Sequence, residues 1–150
     1  METKSISLVD RLKGVLEKNI DAQKGYAKAA ENADSRFLQS FFQRKSMERQ
    51  SFNTELQTEL HSAYGTEKID GSATGTLHRA WMDVKNLFSA DSDESMLEEC
   101  IRGDKAAIEE YTEILNNTAL PISVSTILRN QVLKLRTDLN QVQSLEDLRE

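Results

Sequence analysis

Apolar residues recur along this chain in steps of three and four, the period of a helix with one buried face. The first such stripe is Val9, Leu12, Leu16, Asn19, Gln23, Tyr26 and Ala30, which predicts a helix over about 7–32. Gly14 and Gly25 weaken it by about 1 kcal/mol each relative to alanine. Asp34 and Ser35 are good N-cap residues, so the chain turns there and begins a second helix over about 35–64. Its apolar positions are Phe37, Leu38, Phe41, Phe42, Phe52, Leu56, Leu60 and Ala63, and the stripe crosses Lys45 and Glu48 at its middle. Gly65 is placed to end that helix in a left-handed cap. Thr66 to Gly75 is rich in glycine, serine and threonine without periodicity and reads as a loop. Leu77, Trp81, Val84 and Phe88 then predict a short helix over about 76–89.

Two further helices follow. Leu97, Cys100, Asp104, Ala107, Tyr111 and Ile114 mark one over about 93–116, with Ser92 or Asp93 as its cap. Val124, Leu128, Gln131, Leu135, Asp138 and Val142 mark another over about 121–145, with Pro121 suited to its first turn. Short turns join the first pair and the last pair, so each pair packs antiparallel. The long crossover between the pairs is the connectivity of a ferritin-like four-helix bundle. The expected fold is therefore all-α, a single domain over 1–150, with two antiparallel hairpins and a crossover that carries a short helix.

Polar residues interrupt these stripes at similar heights: Asn19 and Gln23, Glu48, Asp104, and Gln131. A buried polar group costs free energy unless it is partnered, so a shared layer at mid-height calls for a reason. Facing side chains at that height build the metal and cofactor sites of helical bundles. A di-iron centre of this architecture takes one Glu from each of two helices and a Glu-x-x-His from each of the others. Here Ser51 stands three residues after Glu48, Ala107 three after Asp104, and Lys134 three after Gln131. Both histidines, His61 and His78, fall away from mid-height. The expectation is thus a closed hydrogen-bonded layer without a metal, in which Tyr26 and Tyr111 donate hydroxyls and Arg44 lies one turn before Glu48. The competing expectation is iron or manganese held by Glu48 and Asp104 with amide oxygens and water. For Glu48, burial would raise the pKa and Arg44 or Lys45 would lower it.

Composition narrows the function classes. The chain has 150 residues, enough for one domain with a proper core. Its net charge of −6 disfavours nucleic acid, whose binding is driven by Lys and Arg on phosphates. The single cysteine, Cys100, allows no intramolecular disulfide, fits a reducing cytosol, and sits on an apolar stripe with no histidine base beside it. No stretch nears the roughly 20 apolar residues of a membrane span, and Met1 to Ser7 lead into a charged helix rather than an apolar signal region. No Walker loop, dinucleotide fingerprint or zinc spacing occurs. One other constellation stands out. The backbone amides around Gly75 and Thr76, at a helix start, could hold an anion with His78 and Arg79 beside them. Capping and the packing of Trp81 explain the same residues without a ligand.

Three stretches carry a resemblance: Gly25-Tyr26-Ala27-Lys28-Ala29-Ala30-Glu31; Gly71-Ser72-Ala73-Thr74-Gly75-Thr76-Leu77-His78-Arg79-Ala80-Trp81; and Glu98-Glu99-Cys100-Ile101-Arg102-Gly103-Asp104 with Tyr111 beyond it. Together they resemble the uncharacterised bacterial four-helix-bundle proteins of the ferritin-like superfamily, a domain-of-unknown-function family. That resemblance implies the bundle fold and a cytoplasmic setting, and little about activity. The expected function is non-enzymatic: a soluble structural, interaction or stress-linked bundle without an intact di-iron site. It would assemble with itself or with a protein partner, and not with nucleic acid or membrane. The alternatives are an iron-handling or oxidase-type protein using Glu48 and Asp104, and an anion or small-molecule binder at the loop before His78.

Overall fold

Four long helices make up the computed structural model, which describes residues 2–65, 92–117, 119–143 and 147, and side chains from residue 8 onward. They are α1 (Glu2–Asn32), α2 (Arg36–Tyr64), α3 (Asp93–Leu115) and α4 (Ile122–Gln141). The short helix expected over 76–89 lies outside the described residues.

The helix ends follow local chemistry. Helix α1 starts at Glu2 rather than at Ser7, because nothing between them breaks a helix: that stretch has no proline or glycine. Ser35 caps α2 by accepting the Leu38 N–H at 3.3 Å. Both oxygens of Asp93, the first residue of α3, accept from the turn between α1 and α2, from Asp34 N–H and Ser35 N–H at 2.8 Å each. This carboxylate ties the first hairpin to the start of the second. Gly65 ends α2 with φ of 68°, and its N–H donates to the His61 carbonyl. Ser92 caps α3 through the Ser95 N–H at 3.1 Å. Pro121 takes the N-cap place of α4 with φ of −59°. Helix α4 stops at Gln141, short of the expected 145, because Val142 turns extended with φ of −129°. That turn brings Val142 back onto the core.

Cross-helix bonds give the directions. Partners of α1 descend along α3 as α1 ascends: Arg11 with Glu113, Asn19 with Tyr111, Tyr26 with Asp104. On α2 and α4, Phe52 meets Gln131 while Lys45 meets Asp138. Neighbouring helices are therefore antiparallel, α1 with α2 and α3, and α4 with α2 and α3, and α1·α2 is the most extensive contact. Gly65 and Ser92 consequently stand at opposite ends of the bundle, so α2 and α3 are joined across its length, as the ferritin-like order requires.

The apolar core comes in two parts. One end holds Leu8, Leu12, Leu16, Leu56, Leu60, Ile114, Val124 and Leu128. The other holds Tyr26, Ala29, Ala30, Ala33, Leu38, Phe41, Phe42, Met96, Leu97 and Cys100. Of the aromatic run on α2, Phe41 and Phe42 are core, while Phe37 is 44% exposed under the Arg36 guanidinium. Each fully buried Leu or Phe contributes about 1.5–3 kcal/mol, so both ends drive closure of the bundle. Between them lies a band of buried polar side chains: Asn19, Lys45, Arg49, Asn53, Asp104 and Gln131.

Candidate functional site: a buried ion cluster at mid-height

Helix α2 supplies the charge at the centre. Its inward positions step Leu38, Phe42, Lys45, Arg49, Phe52, Leu56 and Leu60, all buried. The three- and four-residue steps thus place a lysine and an arginine on the bundle axis. Glu48, one position off that line, is less deeply placed, with a side chain 10% exposed.

Lys45 spends all three of its ammonium N–H donors on carboxylates from three helices. Its Nζ donates to Asp104 Oδ2 of α3 at 2.5 Å, Asp138 Oδ2 of α4 at 2.9 Å and Glu48 Oε1 of α2 at 3.1 Å. Arg49 donates through Nη2 to Asp104 Oδ1 at 2.6 Å and through Nη1 to Asn19 Oδ1 at 2.8 Å. Its Nε is buried without a hydrogen-bond partner among the described residues. The Tyr26 hydroxyl donates to Asp104 Oδ1 at 3.1 Å, so Asp104 gathers three donors. Both cations also lie near the Tyr26 ring, Lys45 Nζ at 5.9 Å and the Arg49 guanidinium at 5.6 Å from its centroid.

The network continues without a break to the opposite corner. Asn19 Nδ2 donates to the Tyr111 hydroxyl at 2.8 Å. Tyr111 in turn donates to Gln131 Oε1 at 2.6 Å. Gln131 Nε2 finishes the chain on the Phe52 carbonyl and on Glu55. All four helices are thus joined in one layer.

Four of the five polar positions singled out from the sequence meet here: Asn19, Glu48, Asp104 and Gln131. Gln23 sits apart, half-buried on the α1–α2 side, where its Oε1 accepts from Asn53 and its carbonyl from Ser46. The arginine beside Glu48 is also different from the expected one. Arg44 is exposed and lies over the Phe41 ring, while Lys45, Arg49 and Asp138 carry the cluster. Lys45 is expected from the sequence only as a charge that lowers the Glu48 pKa, which it does, Asp138 is flagged on its stripe without a role, and Arg49 is missed. Strict three-four stepping from Leu38 was the signal that could have found it. Gly75, Thr76, His78 and Arg79 lie outside the described residues.

Charge governs the titration. Two buried cations, Lys45 and Arg49, face three carboxylates, Glu48, Asp104 and Asp138. Glu48 and Asp138 also hydrogen-bond each other. Burial pushes Glu48 up to about 7, against the pull of Lys45, and its carboxyl neighbour Asp138 pushes the same way. Asp138 is held below its ordinary value: burial opposes this, but hydrogen bonds from Glu48 and Lys45 outweigh it. Of the two carboxyls, Glu48 is therefore the one that takes up a proton more readily. Burial alone would lower the Lys45 pKa, but Asp104 and its other anionic neighbours raise it, so the ammonium stays charged. Burial pushes the Cys100 thiol up to about 12, which leaves it a packed, unreactive group.

A cleft of about 400 Å³ between α2 and α4 opens onto this cluster, with Lys45, Glu48 and Asp138 among its lining and Phe41, Phe52 and Val142 as apolar walls. At its mouth Lys134, 55% exposed, reaches Asp138 at 3.2 Å and Glu48 at 3.7 Å.

The donor set does not fit a di-iron centre. Such a centre asks for imidazoles and carboxylates converging on open space. Among the described residues this layer has no imidazole, and an ammonium and a guanidinium occupy the space that the carboxylates face. As they stand, no group of three His, Cys, Asp or Glu among the described residues is placed to hold a metal ion. Nor is any described helix long and apolar enough to cross a membrane.

Comparison with known proteins gives a fold and a family. The solved structure of a dodecameric thioferritin, the bacterioferritin-related protein from Bacteroides fragilis, superposes with a TM-score of 0.72 at 17% identity. The match covers 95% of this chain and 82% of that one, and at this identity it shows a shared ferritin-like fold. No curated protein sequence matches. Residues 7–117 match the family described as a domain of unknown function, DUF2383, and this chain, a ferritin-like four-helix bundle, belongs to that family.

Proposed function

We propose that this protein is a non-enzymatic, self-assembling structural or interaction bundle of the cytoplasm. One observation carries the reading: the Lys45 ammonium is bonded to three carboxylates at the height where bundles of this kind build reactive centres. With Arg49 beside it, the layer satisfies most of its charge internally and fixes the register of four helices. Among the described residues, the charged groups nearest the bundle axis are spent on one another rather than left for a ligand.

Self-assembly is supported by two features. The fold neighbour is dodecameric. Large apolar side chains stand exposed on this chain, Met47 at 69%, Leu133 at 64% and Ile122 at 84%.

Metal analysis tests the reading. Protein purified without chelator is expected to carry far less than one iron, manganese or zinc per chain, and to oxidise Fe²⁺ no faster than buffer. Near-stoichiometric metal that vanishes in a Glu48→Gln, Asp104→Asn double variant would overturn it in favour of iron handling, the second reading, which rests on the likeness to a thioferritin. Light scattering tests the assembly: a chain that stays monomeric at high micromolar concentration removes that part.

A further inference from the structure

The mismatch between this layer and a metal centre has a specific form. Three carboxylate oxygens from three helices surround one Nζ at 2.5, 2.9 and 3.1 Å. A hard divalent cation prefers the same donors at roughly 2.0–2.6 Å. One of the three oxygens already lies inside that range, and the other two stand 0.3 and 0.5 Å beyond its upper limit, at N–H···O distances. We propose that the Lys45 ammonium is an internal stand-in for a bound cation, and that removing it converts Glu48, Asp104 and Asp138 into a site for one oxygen-preferring divalent ion such as Mn²⁺. This rests on the functional reading above, in which the parent layer holds no metal.

Other features of the layer agree. Arg49 bonds the opposite oxygen of Asp104, Oδ1, so Oδ2 is freed when Lys45 goes. Asn19 Oδ1 is on the same network through Arg49, and Tyr26 fixes the Asp104 rotamer. The cleft lined by Lys45, Glu48 and Asp138 gives an ion a route from solvent. Lys134 can swing from its mouth, because it is exposed and held at 3.2 and 3.7 Å. Carboxylate and water donors suit manganese, magnesium and calcium.

The test compares three proteins in chelator-treated buffer: the parent, Lys45→Ala, and Lys45→Ala combined with Glu48→Gln and Asp138→Asn. Mn²⁺ binding is read by calorimetry and by loss of the free-ion paramagnetic resonance signal, and stability by thermal unfolding. Lys45→Ala is expected to bind one Mn²⁺ per chain at least ~10-fold more tightly than the parent, and to gain thermal stability with Mn²⁺. The triple variant is expected to fold without metal and to lose that binding. If Lys45→Ala folds only with Mn²⁺ present, the proposal is supported. Equal Mn²⁺ affinity in parent and Lys45→Ala, or no recovery of a misfolded Lys45→Ala by Mn²⁺ while the triple variant folds, would overturn it. Metal found in the parent as purified bears on the functional reading instead, so the two failures are distinguishable.

Discussion

Asp104 is the residue on which both buried cations depend. Its two oxygens take Lys45, Arg49 and Tyr26, and among the described residues no other side chain touches both cations by hydrogen bond. Its removal leaves an ammonium and a guanidinium buried and short of partners, a change that typically costs about 3–5 kcal/mol. Asp104→Ala should therefore lower the urea midpoint by more than truncation of a buried leucine at a well-relaxing site, about 3 kcal/mol. A loss below about 1 kcal/mol, the range of surface ion pairs, would mean that the cluster is solvated in solution.

Glu48 gives a pH signature at the same scale. A carboxyl whose folded pKa exceeds its unfolded value holds a proton that the unfolded chain has already released. Its contribution to stability therefore declines as pH rises from its ordinary 4.5 to about 7, and then levels off. Asp138 acts oppositely: its stabilisation is present above its ordinary 3.8 and is lost as pH falls below that value. Glu48→Gln keeps an acceptor for Lys45 and a donor for Asp138, so it mimics the protonated form. Its unfolding free energy should lose the decline between pH 4.5 and 7 that the parent shows. Parallel profiles for the two proteins across that range would refute the raised pKa of Glu48.

At the scale of the elements, the helix ends decide how the hairpins join. Asp93 opens α3, yet its carboxylate bonds the two backbone N–H groups of the α1–α2 turn. Those amides are otherwise orphan donors of a helix start. Asp93→Ala should cost about 0.5–2 kcal/mol, in the range of a lost N-cap. Amide hydrogen exchange at Asp34 and Ser35 should quicken in that variant while Leu56 and Leu60 keep their protection. Unchanged exchange at the turn would show that the staple is not formed in solution. Ser92 caps α3 independently, so the helix itself survives the substitution.

For the whole molecule, the two apolar ends and the charged band have opposite roles. The ends close the bundle through burial of Leu, Ile and Phe, which sets no precise register. The band sets register, because a slip of one turn would strand Lys45 and Arg49 among hydrocarbon. The four long helices, their hairpin pairing and a run of inward polar positions at mid-height were legible in the sequence because each follows from period, caps and turn residues. Asn19, Asp104 and Gln131 could be placed inward because each lies on an unbroken three-four stripe. What only the tertiary structure decided was which charges meet. Lys45 and Arg49 have long side chains that can snorkel to water or reach inward across the bundle, and helical period alone does not choose. The choice came from carboxylates on two other helices, Asp104 and Asp138, whose distance from α2 no spacing within α2 encodes. That meeting made the centre a cluster of paired charges, because attraction between buried opposite charges grows as water is excluded.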